Sequence, residues 1–184
     1  MFESENKQYT KKVGVMEEAK QIIVELELIP HPEGGFFREV YRSDEFIDKQ
    51  NLPFRYNSNR YFSTSIYYLL VGKNVSHFHR IKSDEVWHFY KGSNLIIHCL
   101  DESKGYTRIK IGSDILSGTN PQHTIKKGTW FAAEIEDKNS YSLIGCTVAP
   151  GFEYDDFELA SRSKLINLFP KEKELITRLT IENN

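Results

Sequence analysis

The sequence predicts an all-β barrel or sandwich with one helix ahead of it and a short helical pair behind it. Three observations carry that reading. Between residues 61 and 150, short strand-like runs follow one another at regular intervals, punctuated by Gly, Asn and Pro turns. No part of that interval repeats its apolar residues at helical spacing, which argues against strands alternating with helices around a parallel sheet. The 184 residues, 39% hydrophobic and 13% aromatic, amount to one domain with enough apolar surface for a real core.

Residues 1–14 are polar and aperiodic and are expected as a flexible N-terminal arm, which leaves 15–184 as the single domain. From Glu17 onward Ala19, Ile22, Ile23 and Leu26 fall at i, i+3, i+4 and i+7, the stripe of an amphipathic helix. That helix must end near Leu28, because Pro30, Pro32 and Gly34-Gly35 follow. After the glycines the period changes to two, and 36–42 reads as a strand with Phe37, Glu39 and Tyr41 on one face. A polar loop over 44–59 leads to the strongest strand, 61–71. Further strands are expected over 75–79, 85–90, 95–100, 106–111, 123–125, 129–135 and 141–149. Their turns fall at Gly72, Gly92, Lys104-Gly105, Gly112, Gly118 with Asn120-Pro121, Gly128 and Asp137-Lys138-Asn139. From Ser161 the pattern is helical again, through Leu165, Ile166, Leu168 and Phe169. Pro170 breaks it, and Leu175, Ile176 and Leu179 resume it.

Composition narrows the function classes. The 26 acidic and 24 basic residues nearly cancel, and the longest basic blocks are the pairs Lys11-Lys12 and Lys126-Lys127, so no nucleic-acid partner is expected. No apolar run is long enough for a bilayer, so no membrane partner is expected. The opening segment Met1-Phe2-Glu3-Ser4-Glu5-Asn6-Lys7 lacks the features of a signal peptide, and a cytoplasmic location is the expectation. The two cysteines, Cys99 and Cys146, each sit in a strand-like run without a CxxC partner and read as buried core thiols.

The segment from Gly72 to Gly92 is richest in chemistry. His77 and His79 are two apart on a predicted strand, so both imidazoles leave the same face. Glu85 opens the next strand and can return to the same pocket. Two imidazoles and a carboxylate inside a barrel can bind a divalent metal as a facial triad, or act as an acid/base set without one. Trp87 and Phe89 share the face of Glu85, where they either pack the core or stack on a ligand, whereas His88 falls on the opposite face. Ser63, Ser65 and Tyr67 share one face, with either face open as the inner one. Arg38, Glu39 and Tyr41 either line the barrel mouth or form a solvated edge. The stretch from Phe152 to Phe157 either caps the pocket, with Tyr154 and Asp156 contributing, or packs the C-terminal helices onto the barrel.

A Gly, then His77-Phe78-His79, then Glu85, then six residues and Gly92 is similar to the first signature motif of the cupin superfamily. Within it the chain resembles the DUF985 branch, cupin type 5. The matching blocks are Pro32-Glu33-Gly34-Gly35-Phe36-Phe37-Arg38-Glu39-Val40-Tyr41, Ser63 to Leu70, His79 to Phe89, Gly128-Thr129-Trp130-Phe131-Ala132-Ala133-Glu134, and Val148 to Leu159. The resemblance implies a double-stranded β-helix, or jelly-roll, barrel with one N-terminal helix and short C-terminal helices, usually paired as a homodimer. The activity of that branch is mostly uncharacterised, and its relatives in shape include sugar-nucleotide epimerases and isomerases.

Two departures from the general cupin pattern bear on a metal. The gap between His79 and Glu85 is five residues, one longer than metal-binding cupins carry. The second motif lacks its histidine, since Gly128 is followed by Thr129, Trp130 and Phe131; His123, before it, is a poor substitute. No resident cofactor is therefore expected, with a divalent transition metal on His77, His79 and Glu85 as the alternative. The functional expectation is an epimerase- or isomerase-type enzyme acting on a polar, sugar-like or carboxylated small molecule. His79 would serve as general base or acid with Glu85 orienting it, and Tyr67 or Tyr154 would donate from the other side. Arg38 or Arg80 would neutralise an anionic group, and Glu39, Tyr41, Ser65, Trp87, Phe89 and Phe131 would complete the binding surface. A metal-dependent oxygenase or lyase and a non-catalytic ligand-binding barrel are the rivals.

Overall fold

Helix α1 (Phe2–Glu25) opens the chain in the computed structural model, which describes residues 2–182, with side chains from residue 14 onward. Its backbone is already helical where a loose arm was expected. The residues before Gly14 are mostly helix formers with no proline among them, so polar composition alone does not stop the helix. The apolar stripe predicted from Glu17 onward packs as expected: Ala19, Ile22, Ile23 and Leu26 meet Tyr67, Leu69, Val71, Tyr141 and Leu143.

Thirteen strands follow: β1 (Ile29–Pro30), β2 (Phe36–Arg42), β3 (Phe46–Ile47), β4 (Arg60–Tyr61), β5 (Thr64–Val71), β6 (Val75–Arg80), β7 (Asp84–Gly92), β8 (Leu95–Asp101), β9 (Gly105–Ile111), β10 (Gln122–Ile125), β11 (Trp130–Ile135), β12 (Tyr141–Ala149) and β13 (Glu158–Leu159). Two short helices, α2 (Arg162–Leu168) and α3 (Lys173–Arg178), close the chain. The predicted strand 61–71 is two elements, β4 and β5, with a break at Phe62-Ser63. Strands of two residues were not legible, because alternation needs more than one period to show.

A six-stranded sheet, β1-β2-β5-β12-β7-β10, packs on a five-stranded sheet, β13-β6-β11-β8-β9, and every ladder in both is antiparallel. Neighbours in space are mostly not neighbours in sequence, the mark of a jelly roll. The core between the sheets is built from Tyr68, Leu70, Trp87, Leu95, Ile97, Ile125, Phe131 and Ile144. Each outer face is partly covered, by α1 on the six-stranded sheet and by Leu165, Ile176 and Leu179 on Phe78, Leu100, Trp130 and Ala132 of the other. That is why β8 is buried on both faces and reads as a continuous apolar run. Cys99 and Cys146 are buried and unpaired. No helix among the described residues is long and apolar enough to cross a membrane.

Two bulges decide which side chains reach the interior. On β2 the register passes from Glu39 opposite Ile66 to Tyr41 opposite Ser65, so Val40 is the extra residue. On β6 it passes from Ser76 opposite Ala133 to His79 opposite Phe131, an extra residue between them. Each reverses the in-out parity beyond it.

Candidate functional site

Between the sheets lies a cavity of about 700 Å³, counting its open mouth. Its walls combine aromatic rings with an unusual density of carboxyl groups. Glu33, Glu85, His31, His79 and Tyr68 stand inside, with Phe37, Phe152 and Phe157 as apolar walls; Glu39, Arg42, Glu153 and Tyr154 also line it.

Glu33 arrives on the turn between β1 and β2. Gly34 and Gly35 take φ of +109° and +68°, values open to glycine. A Cβ on Gly34 would run into the carbonyl oxygen of Val75, so the turn lies flush against β6. His77 clamps it there: its backbone N–H and its Nδ1 both reach the Glu33 carbonyl oxygen, at 2.8 and 2.7 Å. Ser76 Oγ donates to Glu33 Oε1 at 2.9 Å, and His79 Nε2 stands 3.1 Å from Glu33 Oε2. Ser76 and His79 are three apart, so a regular strand would send them to opposite faces. The β6 bulge turns both toward Glu33.

The hydrogen-bond partners assign the tautomers. His79 Nδ1 lies 2.8 Å from the His77 carbonyl oxygen, an acceptor only, so Nδ1 carries a proton. In the neutral ring Nε2 then presents its lone pair to Glu33 Oε2. His31 accepts at Nδ1 from the Glu33 N–H, 3.3 Å away, which leaves its proton on Nε2. Burial is the leading cause of every shift here: it lowers His31, lowers His79 to about 4 and raises the Glu33 carboxyl. Glu85 is pushed up to about 8 by burial and then by the charge on Glu33. Its carboxyl has the side chains of Trp87 and Cys146 for neighbours, which offset part of that rise. Tyr68 donates to the Gly34 carbonyl oxygen at 2.7 Å.

The predicted residues divide. His79, Glu85, Glu39 and Tyr154 line the cavity. His79 and Glu85 come from different sheets, β6 and β7, and the group beside His79 is Glu33 rather than the expected Glu85. Tyr67 faces outward against α1, and Ser65 points out to Thr147, because Thr64, Ile66 and Tyr68 take the inner face. The β2 bulge turns Tyr41 to solvent and brings Arg42 into the wall instead. Arg38 pairs with Glu27 outside the barrel, and Arg80 pairs with Glu158 and lies over Trp130, so neither can neutralise a group in the cavity. Trp87 and Phe131 are core, Phe89 packs against it, and the Phe131 ring lies 4.0 Å from that of His79. His88 is on the outer face, near Thr147. Asp156 supplies no cavity carboxylate: it is locked to the fully buried Arg60 at 2.6 and 2.7 Å, which anchors the turn carrying Tyr154 and Phe157.

The sequence does not single out Glu33, His31, Tyr68 or Arg42 as cavity groups, whereas Phe152 and Phe157 lie in the stretch read as a cap on the pocket and do line it. For Glu33 a signal existed, a carboxylate held between Pro32 and a Gly-Gly pair, but no strand period places it.

The donor set does not fit a metal on His77, His79 and Glu85. His77 is committed to the Glu33 carbonyl and is not part of the cavity wall, and His79 Nε2 faces Glu33. Among the described residues no three His, Cys, Asp or Glu side chains converge as a metal site.

The chain and its fold have known counterparts. Residues 20–160 match the model of the "Cupin superfamily (DUF985)" family. The uncharacterized protein YML079W of Saccharomyces cerevisiae is 30% identical over 173 residues, 84% of this chain and 81% of that protein. Protein SO0799 from Shewanella oneidensis superposes with a TM-score of 0.80 at 37% identity, over 90% of this chain and 98% of that one. A hypothetical protein from Leishmania major gives 0.78 at 32% identity, over 89% and 99%. With a family model spanning most of its length and relatives aligned nearly end to end, the chain belongs to the DUF985 family of the cupin superfamily.

Proposed function

We propose that the protein is a small-molecule enzyme of the epimerase or isomerase kind, acting on a polar, sugar-like compound in the barrel by metal-independent acid/base chemistry. The observation that carries this is the placement of two proton-holding groups on opposite sheets: the Glu33–His79 couple beside β6 and Glu85 on β7. Epimerisation needs an acid and a base on opposite sides of one carbon. The ionised Glu85 carboxylate removes the proton from a carbon next to a carbonyl group. The Glu33–His79 couple, whose facing Oε2 and Nε2 hold a proton between them, returns one to the other face. Proton exchange with solvent after product release, Glu85 losing its proton and the couple regaining one, restores both groups. Two titratable groups in one cavity whose environments push them in opposite directions, His79 down and Glu85 up, are what such an assignment asks for.

Native mass spectrometry on untagged protein identifies a co-purifying compound, and that compound is then incubated with the enzyme in D2O. Gain of one carbon-bound deuterium, lost in Glu85→Gln, is the expected result. Tight retention without any exchange would make the barrel a binding protein instead. The same spectrum tests the homodimer expected from the family, as a species of twice the chain mass.

A further inference from the structure

The cavity's charge arrangement deepens that reading, on which this inference rests, by restricting its substrate class. Arg42 is the one cation among the side chains lining the cavity, and both approaches to its guanidinium are taken. Glu39 occupies the Nε–Nη2 edge at 2.9 and 2.8 Å. Glu153 occupies Nη1 at 2.6 Å, and the Phe152 carbonyl oxygen lies 3.4 Å from Nη2. The face of the group lies 4.9 Å from the Tyr61 ring centre. A guanidinium recognises a carboxylate or phosphate through a paired N–H edge, and none is left here. Behind this clamp stand two more carboxyl groups, Glu33 and Glu85, and two imidazoles that burial keeps neutral. The Glu85 carboxyl is buried in the wall of this space.

We propose that Glu39 and Glu153, by saturating Arg42, make this an anion-excluding site whose substrate is an uncharged polyhydroxy carbonyl compound rather than a carboxylated or phosphorylated one. An anion entering the wild-type cavity would meet carboxylates without a free counter-charge, and the desolvation cost would go uncompensated. A neutral ligand meets only hydrogen-bonding groups and rings.

The test is calorimetric titration with a matched pair, D-glucose and D-glucuronate, which share a ring and differ in the carboxylate. Wild type should bind glucose at least tenfold more tightly. The double variant Glu39→Gln with Glu153→Gln frees Arg42 and should raise glucuronate affinity at least tenfold. Arg42→Gln breaks the same mouth contacts without freeing a cation, and should show no such gain. Equal or tighter binding of glucuronate by wild type would overturn the proposal. So would a double variant with no gain, a gain in Arg42→Gln as well, or no binding of either sugar by any of the proteins. Deuterium exchange is read separately. Loss of the charge preference with exchange intact would sink this inference alone, and loss of exchange with the preference intact would sink the catalytic reading alone.

Discussion

Glu33 Oε2 lies 3.1 Å from His79 Nε2, while the other nitrogen of His79 is held by the carbonyl of His77. His77 in turn holds the carbonyl of Glu33. The three residues form a closed loop in which the backbone sets the His79 tautomer and turns its Nε2 toward the Glu33 carboxyl. Glu33→Gln replaces the carboxylic acid with an amide of the same shape that can still donate to His79 and accept from Ser76. It cannot release a proton. The variant should fold with an unchanged melting temperature and lose deuterium exchange by about a hundredfold or more, the usual contribution of a positioned acid or base. Unaltered exchange in a well-folded Glu33→Gln protein would remove the couple from the mechanism.

Glu85 supplies a pH signature. Its folded-state pKa of about 8 stands above the ordinary carboxyl value, so between the two the folded chain holds a proton that the unfolded chain has lost. Stability from this group is full at acid pH and declines as pH rises toward about 8. The folded-state base form appears around pH 8, so exchange should climb there, where the loss of stability levels off. Glu85→Gln should abolish the first limb and flatten the second. Urea denaturation and exchange rates measured from pH 5 to pH 9 check both. His79 tilts the other way: its value of about 4 lies below that of the unfolded chain, so its contribution is present at neutral pH and lost as pH falls toward 4.

Most of the barrel was legible because its long strands are regular, and the site was only half legible because the site is where they are not. Period two correctly placed Glu85 and Trp87 on one face and His88 on the other. It failed at the β6 bulge, where His77 and His79 part company, and at the β2 bulge, where Tyr41 gives way to Arg42. A one-residue slip reverses every side chain beyond it, and nothing in Phe36–Arg42 marks Val40 as the extra residue. The choice between Ser65 with Tyr67 and Thr64 with Tyr68 depended on which face α1 covers, a tertiary fact. Glu33 sits on a turn, where no period operates.

The Arg60–Asp156 pair makes a stability prediction. Both side chains are buried, at 0% and 2% exposure, and the pair ties the β4 strand to the turn that carries Tyr154 and Phe157. Arg60→Met leaves Asp156 with only Lys82, whose Nζ is 3.4 Å away. Stranding one member of a buried pair costs about 3–5 kcal/mol. Adding Asp156→Asn should recover part of that loss, because it removes the stranded charge. Chemical denaturation of the two proteins measures the difference, and a single variant within 1 kcal/mol of wild type would contradict the assignment.

Gly34 links the fold to the site most directly. It combines a φ of +109° with a Cβ direction that points into the Val75 carbonyl, and the residue before it is Glu33. Gly34→Ala must therefore push the turn off β6, which strains the two hydrogen bonds from His77 and pulls Glu33 away from His79. Gly105 is the natural control, because it also has a left-handed φ, +75°, but a Cβ there meets nothing within 4 Å. Gly105→Ala should lose about 1 kcal/mol for backbone strain alone, and Gly34→Ala more than that. The sharper difference is in chemistry: exchange should survive in Gly105→Ala and fall with Gly34→Ala even at temperatures where both remain folded. Equal activity in the two would mean that the flush packing of the turn serves the fold without setting the Glu33–His79 distance.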